Sequence, residues 1–96
     1  MSRNLLTKDE IAAMLMALDG WKQEGQAIRR TFTFKDFTTA FSFMSSVADK
    51  AEELDHHPDW SNAWNKVEVS LSTHSAGGLT ALDFALAAFM DEAATW

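Results

Sequence analysis

The chain has 96 residues, 47% hydrophobic and 23% charged, a balance that supports a folded core and excludes an intrinsically disordered segment. With 14 acidic residues against 8 basic, the formal net charge is -6, and Arg29-Arg30 with Lys35 is the one thin basic cluster, so direct binding of nucleic acid is not expected. The absence of cysteine excludes a disulfide framework, a thiolate nucleophile and a Cys-ligated zinc.

Met1 to Leu6 holds no apolar run resembling a signal peptide, and no segment approaches the length of a membrane span, so no membrane role and a reducing cytoplasm are expected. A chain this short reads as one domain, residues 1–96, whose core alone gives limited stability. Its 7 Phe, 5 Met and 4 Trp point to a homo-oligomer as the way to bury more surface.

Thr7-Lys8-Asp9-Glu10 reads as a capping box, with Leu6 and Ile11 at the staple positions. Ile11, Met14, Leu15 and Leu18 then form one helical stripe, and Gly20 is placed to stop it. Trp21 to Gln23 and Ala27 to Phe34 flank Glu24-Gly25 as a hairpin, with Ile28, Phe32 and Phe34 of one parity and Arg30 interrupting them. From Asp36 the period changes to helical. Phe37, Phe41, Met44, Ala48 and Ala51 mark the apolar face of a second helix that runs to about Leu54.

Pro58 disfavours helical backbone at His57, so the chain turns at Asp55-His56-His57-Pro58. Asp59 to Trp64 and Lys66 to Thr73 read as strands around Asn65, with Val67, Val69 and Leu71 on one side and Glu68, Ser70, Ser72 and His74 on the other. Gly77-Gly78 precedes a second capping box, Thr80-Ala81-Leu82-Asp83, and a last helix bearing Leu82, Leu86 and Phe89. The order α-β-β-α-β-β-α defines an α+β domain, an antiparallel sheet with helices on its apolar face.

Chemistry concentrates on the three histidines. His56 and His57 stand at a helix-to-strand corner, and His74 at the end of the last strand. Pairing of the last two strands brings all three to one end of the sheet, with Glu52 and Asp55 beside them and Trp60 as a flat apolar wall. Imidazoles with neighbouring carboxylates can hold complementary protonation states near neutral pH, which suits proton transfer without a nucleophile. Plainer roles stand beside each of these. His56 can serve as a cation at a helix C-terminus, Glu52 as its i+4 partner, His57 as a corner residue, His74 as a solvated side chain, Asp83 as a capping residue, and Trp60 and Trp64 as core or interface. A metal site is disfavoured, because adjacent His56 and His57 should project in different directions and no His-x-His or i, i+4 His pair is present.

The run Glu52-Glu53-Leu54-Asp55-His56-His57-Pro58-Asp59-Trp60, followed by Trp64-Asn65-Lys66-Val67 and Leu71-Ser72-Thr73-His74, resembles the signature of the pterin-4a-carbinolamine dehydratases. Leu6-Thr7, Gly20-Trp21 and Phe34-Lys35-Asp36-Phe37 extend the resemblance along nearly the whole chain. It implies a four-stranded antiparallel sheet with three helices on one face, a homodimer or homotetramer, and dehydration of 4a-hydroxytetrahydropterin to quinonoid dihydropterin without metal or cofactor. That activity would support tetrahydropterin recycling. It also implies His56, His57 and His74 as catalytic residues, with proton transfer assigned to His57 and His74 and ring orientation to His56. Glu52, Asp55, Trp60, Ser72, Thr73 and Asp83 are implied in seating the pterin.

Trp64 stands where many relatives carry tyrosine, a change expected to alter packing beside the site. The transcriptional role of animal members is not implied, because Ser75-Ala76-Gly77-Gly78 lacks the cysteine associated with it. An interaction module, supported by apolar residues on several sides of the last helix, and a pterin-binding protein serving another cofactor pathway are the competing readings.

Overall fold

A computed structural model describes residues 2–95. Helix α1 spans Lys8–Met16, strand β1 Lys22–Glu24, strand β2 Ala27–Thr33, helix α2 Phe37–Leu54, strand β3 Asp59–Ala63, strand β4 Lys66–Leu71 and helix α3 Ala81–Ala93; a single 3-10 turn, His74–Ala76, lies between β4 and α3. The four strands form one antiparallel sheet in the order β1-β2-β4-β3. The expected fold class and element order are therefore present.

Alternation along the strands decides which face is covered. Ile28, Phe32, Val67, Val69 and Leu71 point inward and are buried against Phe43 and Val47 of α2 and Leu86 and Met90 of α3, while α1 packs on this core through partly buried Ile11, Met14 and Leu15. The opposite face carries the registered row Lys22, Arg29, Ser70, Asp59 and the row Thr31, Glu68, Ser61, polar throughout. Arg30 breaks the inward parity of β2 because its guanidinium finds partners there. It donates to Oδ1 of Asp91 at 2.6 Å and to the Asp19 carbonyl at 3.1 Å, and it lies 4.3 Å over the Phe32 ring.

Four sequence expectations need correction. The inward stripe of α2 is Ala40, Phe43, Val47 and Ala51; Phe37 and Phe41 remain 48% and 54% exposed, and Ala48 is exposed too. Two adjacent stripes of this helix obey helical spacing, and only the seat of α2 on the sheet selects between them. Conversely, the apolar residues of α3 that suggested an interface are spent on the core, with Leu82, Phe84, Leu86 and Met90 all buried. Helix α1 ends at Met16 with a right-handed cap at Ala17; Gly20 is left-handed (φ 87°) but serves the entry to β1, where the Arg30 side chain would lie 3.1 Å from an added Cβ. Finally, β4 stops at Leu71. Thr73 makes an isolated bridge to Gly78, and its carbonyl accepts from the amides of Ala76 and Gly77, which turns the chain so that His74 opens the 3-10 turn.

Candidate active site

The corner carrying the first two histidines is built by the end of α2. Asp55 adopts the left-handed conformation (φ 50°, ψ 45°), its amide donates to Glu52 O, and the His56 amide donates to Ala51 O at 3.0 Å. This is the Schellman arrangement with aspartate where glycine is usual, at a local cost of roughly 1–2 kcal/mol. Arg3 helps to hold it, donating from Nη2 to the Asp55 carbonyl at 2.7 Å and lying 3.8 Å from the Asp55 carboxylate. The left-handed step sends consecutive side chains apart, so that His56 turns into the protein and His57 turns back over the last turn of α2.

Each histidine meets its own acid. Nε2 of His56 lies 2.6 Å from Oδ1 of Asp83, and both side chains are buried. Nε2 of His57 lies 2.5 Å from Oε2 of Glu52 at the surface, so Glu52 partners His57 rather than His56, because the turn at Asp55 brings the i+5 residue back over it. Nε2 of His74 lies 3.0 Å from Oδ2 of Asp59, also at the surface. The three pairs are connected: Asp59 follows His57 by two residues, and Thr73, which precedes His74, donates to the Asp83 that holds His56.

Asp83 closes the N-terminus of α3 as well. Its Oδ2 accepts from the Thr80 amide and from Thr73 Oγ1, both at 2.9 Å, and it completes the capping box with Thr80. A residue that its capping role already explained therefore also binds His56. Thr73 is buried, with its hydroxyl engaged by Asp83 and Thr80. Ser72 donates to the Gln26 carbonyl at 2.7 Å, which ties the β1–β2 turn to the same end of the sheet. Trp60 is half-buried, paired with Val69 and packed on the core. Asp55 presents an exposed carboxylate.

Trp64, expected beside the site, stands at the opposite end of the β3–β4 hairpin in a left-handed turn conformation and is 67% exposed. The Ala63–Lys66 end of this hairpin is four strand residues from the Asp59–Ser70 end, about 14 Å at ~3.4 Å per residue. Asp59, Arg3 and Thr80 were not named for the site in the sequence. Asp59 had a local signal, since strand pairing brings it to the end of the sheet where His74 lies. Arg3 had none, because its contact with Asp55 spans 52 residues.

The rim is open. The imidazoles of His57 and His74 are 57% and 78% exposed, and a cavity of about 210 Å³ lined by Arg29, Asp59, Trp60, Ser61, Glu68 and Ser70 meets the rim through Asp59. Among the described residues no three His, Asp or Glu side chains gather closely enough to hold a metal ion, and no helix is long and apolar enough to cross a membrane. Imidazoles paired with carboxylates can donate and accept protons, and no nucleophile is activated among them.

A small antiparallel sheet with helices on one face and histidine–carboxylate pairs at one end defines a class of α+β domain. The chain belongs to the pterin 4 alpha carbinolamine dehydratase family, which it matches over residues 4–93. Proteins of Brucella ovis and Brucella canis, each named provisionally as a pterin-4-alpha-carbinolamine dehydratase, are 55% identical to it over 93 residues, covering 95% of this chain and 96% of theirs. The crystal structure of a transcriptional coactivator/pterin dehydratase from Brucella melitensis superposes with a TM-score of 0.92 at 52% identity, covering 95% of this chain and 99% of that one. A pterin dehydratase-like protein identified as a RuBisCO assembly factor in the alpha-carboxysome shares the fold alone, with a TM-score of 0.68 at 23% identity over 79% of this chain and 90% of that one.

Proposed function

We propose that this chain is a hydro-lyase that dehydrates 4a-hydroxytetrahydropterin to quinonoid dihydropterin, in support of tetrahydropterin recycling in the cytoplasm. The observation that carries the reading is that His56, His57 and His74 each own a carboxylate at one rim of the sheet, in a chain of the dehydratase family. In the reaction the C4a–O bond breaks as a proton reaches the departing hydroxyl, which leaves as water. N5 loses its proton, and the electron pair of that N–H bond closes the C4a–N5 double bond. One proton is delivered and one collected, and nothing is oxidised or reduced.

His57 and His74 carry these transfers, each worth roughly 10²–10⁴-fold, with Glu52 and Asp59 orienting the rings and balancing the imidazolium charge. His56, held from behind, orients the pterin ring. Asp55, Trp60 and the Ser72-Thr73 backbone contribute to its seat. Neither a metal nor a cofactor takes part. The half-exposed Phe37 and Phe41 supply a surface on α2 for a homodimer or homotetramer, which adds walls to an open rim.

The test is a rapid-mixing absorbance assay with 4a-hydroxytetrahydropterin. Dehydration well above the buffer rate, unchanged after treatment with a chelator, is the expected result; a rate equal to that of buffer overturns the reading. An interaction module is the second reading, favoured by the same exposed Phe37 and Phe41, and a stable fold that binds no pterin would support it.

A further inference from the structure

Every hydrogen-bond direction around Asp83 can be worked out. The Thr80 amide can only donate, and it donates to Oδ2 at 2.9 Å. Thr73 Oγ1 lies 2.9 Å from the same oxygen and 2.8 Å from Thr80 Oγ1. A carboxylate with two such donors on one oxygen and a helix N-terminus behind it is an acceptor only. The single hydroxyl proton of Thr73 therefore goes to Asp83, and Thr73 Oγ1 accepts the hydroxyl proton of Thr80, whose own oxygen accepts from the Leu82 amide at 3.3 Å.

That leaves Oδ1, 2.6 Å from Nε2 of His56, as an acceptor facing a nitrogen that must carry a proton. Nδ1 of His56 bonds to no described residue, and no buried side-chain nitrogen or oxygen among the described residues lacks a partner, so Nδ1 reaches the surface.

We propose that Thr80, Thr73 and Asp83 form a buried tautomer lock, which holds a proton on Nε2 of His56, so that whenever the ring carries a single proton the Nδ1 lone pair is presented as an acceptor for an N–H of the substrate. Thr73 and Thr80 are then positioning residues, and His56 selects for a donor on the bound ring. The consequence for substrate rests on the dehydratase reading; the lock does not. The buried aspartate of serine-protease triads sets a histidine tautomer by the same logic.

Asp83→Asn makes a sharp test. Two donors converge on the Oδ2 position, so the amide oxygen must occupy it and the amide NH₂ must face His56. The proton of His56 is then driven to Nδ1, and the rim acceptor becomes a donor. Long-range proton–nitrogen NMR on the ¹⁵N-labelled full chain at pH about 8, above the ordinary histidine range, reads both ring nitrogens; with three histidines, His56→Asn identifies the resonances.

The expected result is Nε2–H in the wild type, Nδ1–H in Asp83→Asn, and a KM for 4a-hydroxytetrahydropterin raised about tenfold or more with kcat changed less, since a donor then faces a donor. A wild-type His56 protonated on Nδ1 overturns the lock, whether or not the variant folds. A folded variant with an unchanged tautomer overturns it as well. A reversed tautomer with unaltered KM removes the acceptor role and leaves the lock. A locked tautomer in a chain without dehydratase activity sinks the proposed function alone.

Discussion

Nε2 of His56 and Oδ1 of Asp83 meet at 2.6 Å in the interior, joining the end of α2 to the start of α3 across 27 residues of chain. The other two histidines pair with acids in solvent. One imidazole is thus anchored in the interior and two lie open to solvent. The difference in burial separates the effects that substitution should have on stability and on turnover.

His57→Ala should lower kcat by roughly 10² or more, the range for loss of a positioned proton-transfer group. Thermal stability should move little, because His57 and Glu52 are both exposed and such surface pairs contribute about 0–1 kcal/mol before screening. Parallel turnover and melting measurements check this. Near-full activity would remove His57 from the mechanism.

Asp59→Asn should reduce kcat while leaving the melting temperature unchanged, and Asp59→Glu should restore part of the loss. The reason is that Asp59 contacts His74 at 3.0 Å with both groups exposed, so the pair orients the ring without bearing load in the fold. An Asp59→Asn protein with wild-type kinetics would show that His74 does not depend on Asp59 for its orientation.

Phe43→Ala should cost about 3–5 kcal/mol in a denaturant titration, the usual penalty for emptying a buried aromatic site. Phe43 is wholly buried, with ring centroids 4.8 Å from Phe32 and 5.0 Å from Phe34. Phe41→Asp, on the neighbouring stripe, should leave the folded chain intact and shift its mass toward monomer in light scattering. A Phe41→Asp protein with wild-type mass would take α2 out of the assembly.

Acid should weaken the start of α2. Asp36 caps this helix, and the Thr39 hydroxyl, followed by the Thr39 amide, holds the Asp36 carboxyl below its ordinary value of 3.8. A carboxyl lowered in the folded state adds stability above the unfolded value, and that contribution is lost as pH falls through the folded one. Asp36→Ala should therefore melt below wild type at pH 7, and the gap should close as pH drops below about 4. A gap that stays constant down to pH 2 would show that the cap does not act through its charge.

The order of elements was legible in the sequence because each boundary rests on local chemistry. Thr7 with Glu10 and Thr80 with Asp83 are capping boxes, Pro58 disfavours helical backbone at His57, and parity along Lys66 to Leu71 separates Val67, Val69 and Leu71 from Glu68 and Ser70. These signals act within about four residues, the range over which spacing carries information. The expectation that His56, His57 and His74 share one end of the sheet followed from pairing β3 with β4, a step beyond that local range, and it did not single out Asp59, which pairs with His74 there.

What tertiary structure alone decided are contacts between residues far apart in the chain. Which stripe of α2 faces inward depends on how the helix sits on β2 and β4, so Phe43 and Val47 are buried while Phe37 and Phe41 are not. Glu52 reaches His57 only because Asp55 takes a left-handed turn. Asp83 has a complete local explanation as a cap, yet its second carboxylate oxygen is free to bind His56, and only the docking of α3 against the end of α2 brings the two within hydrogen-bond distance. Local spacing can state which groups are available; packing determines which of them meet.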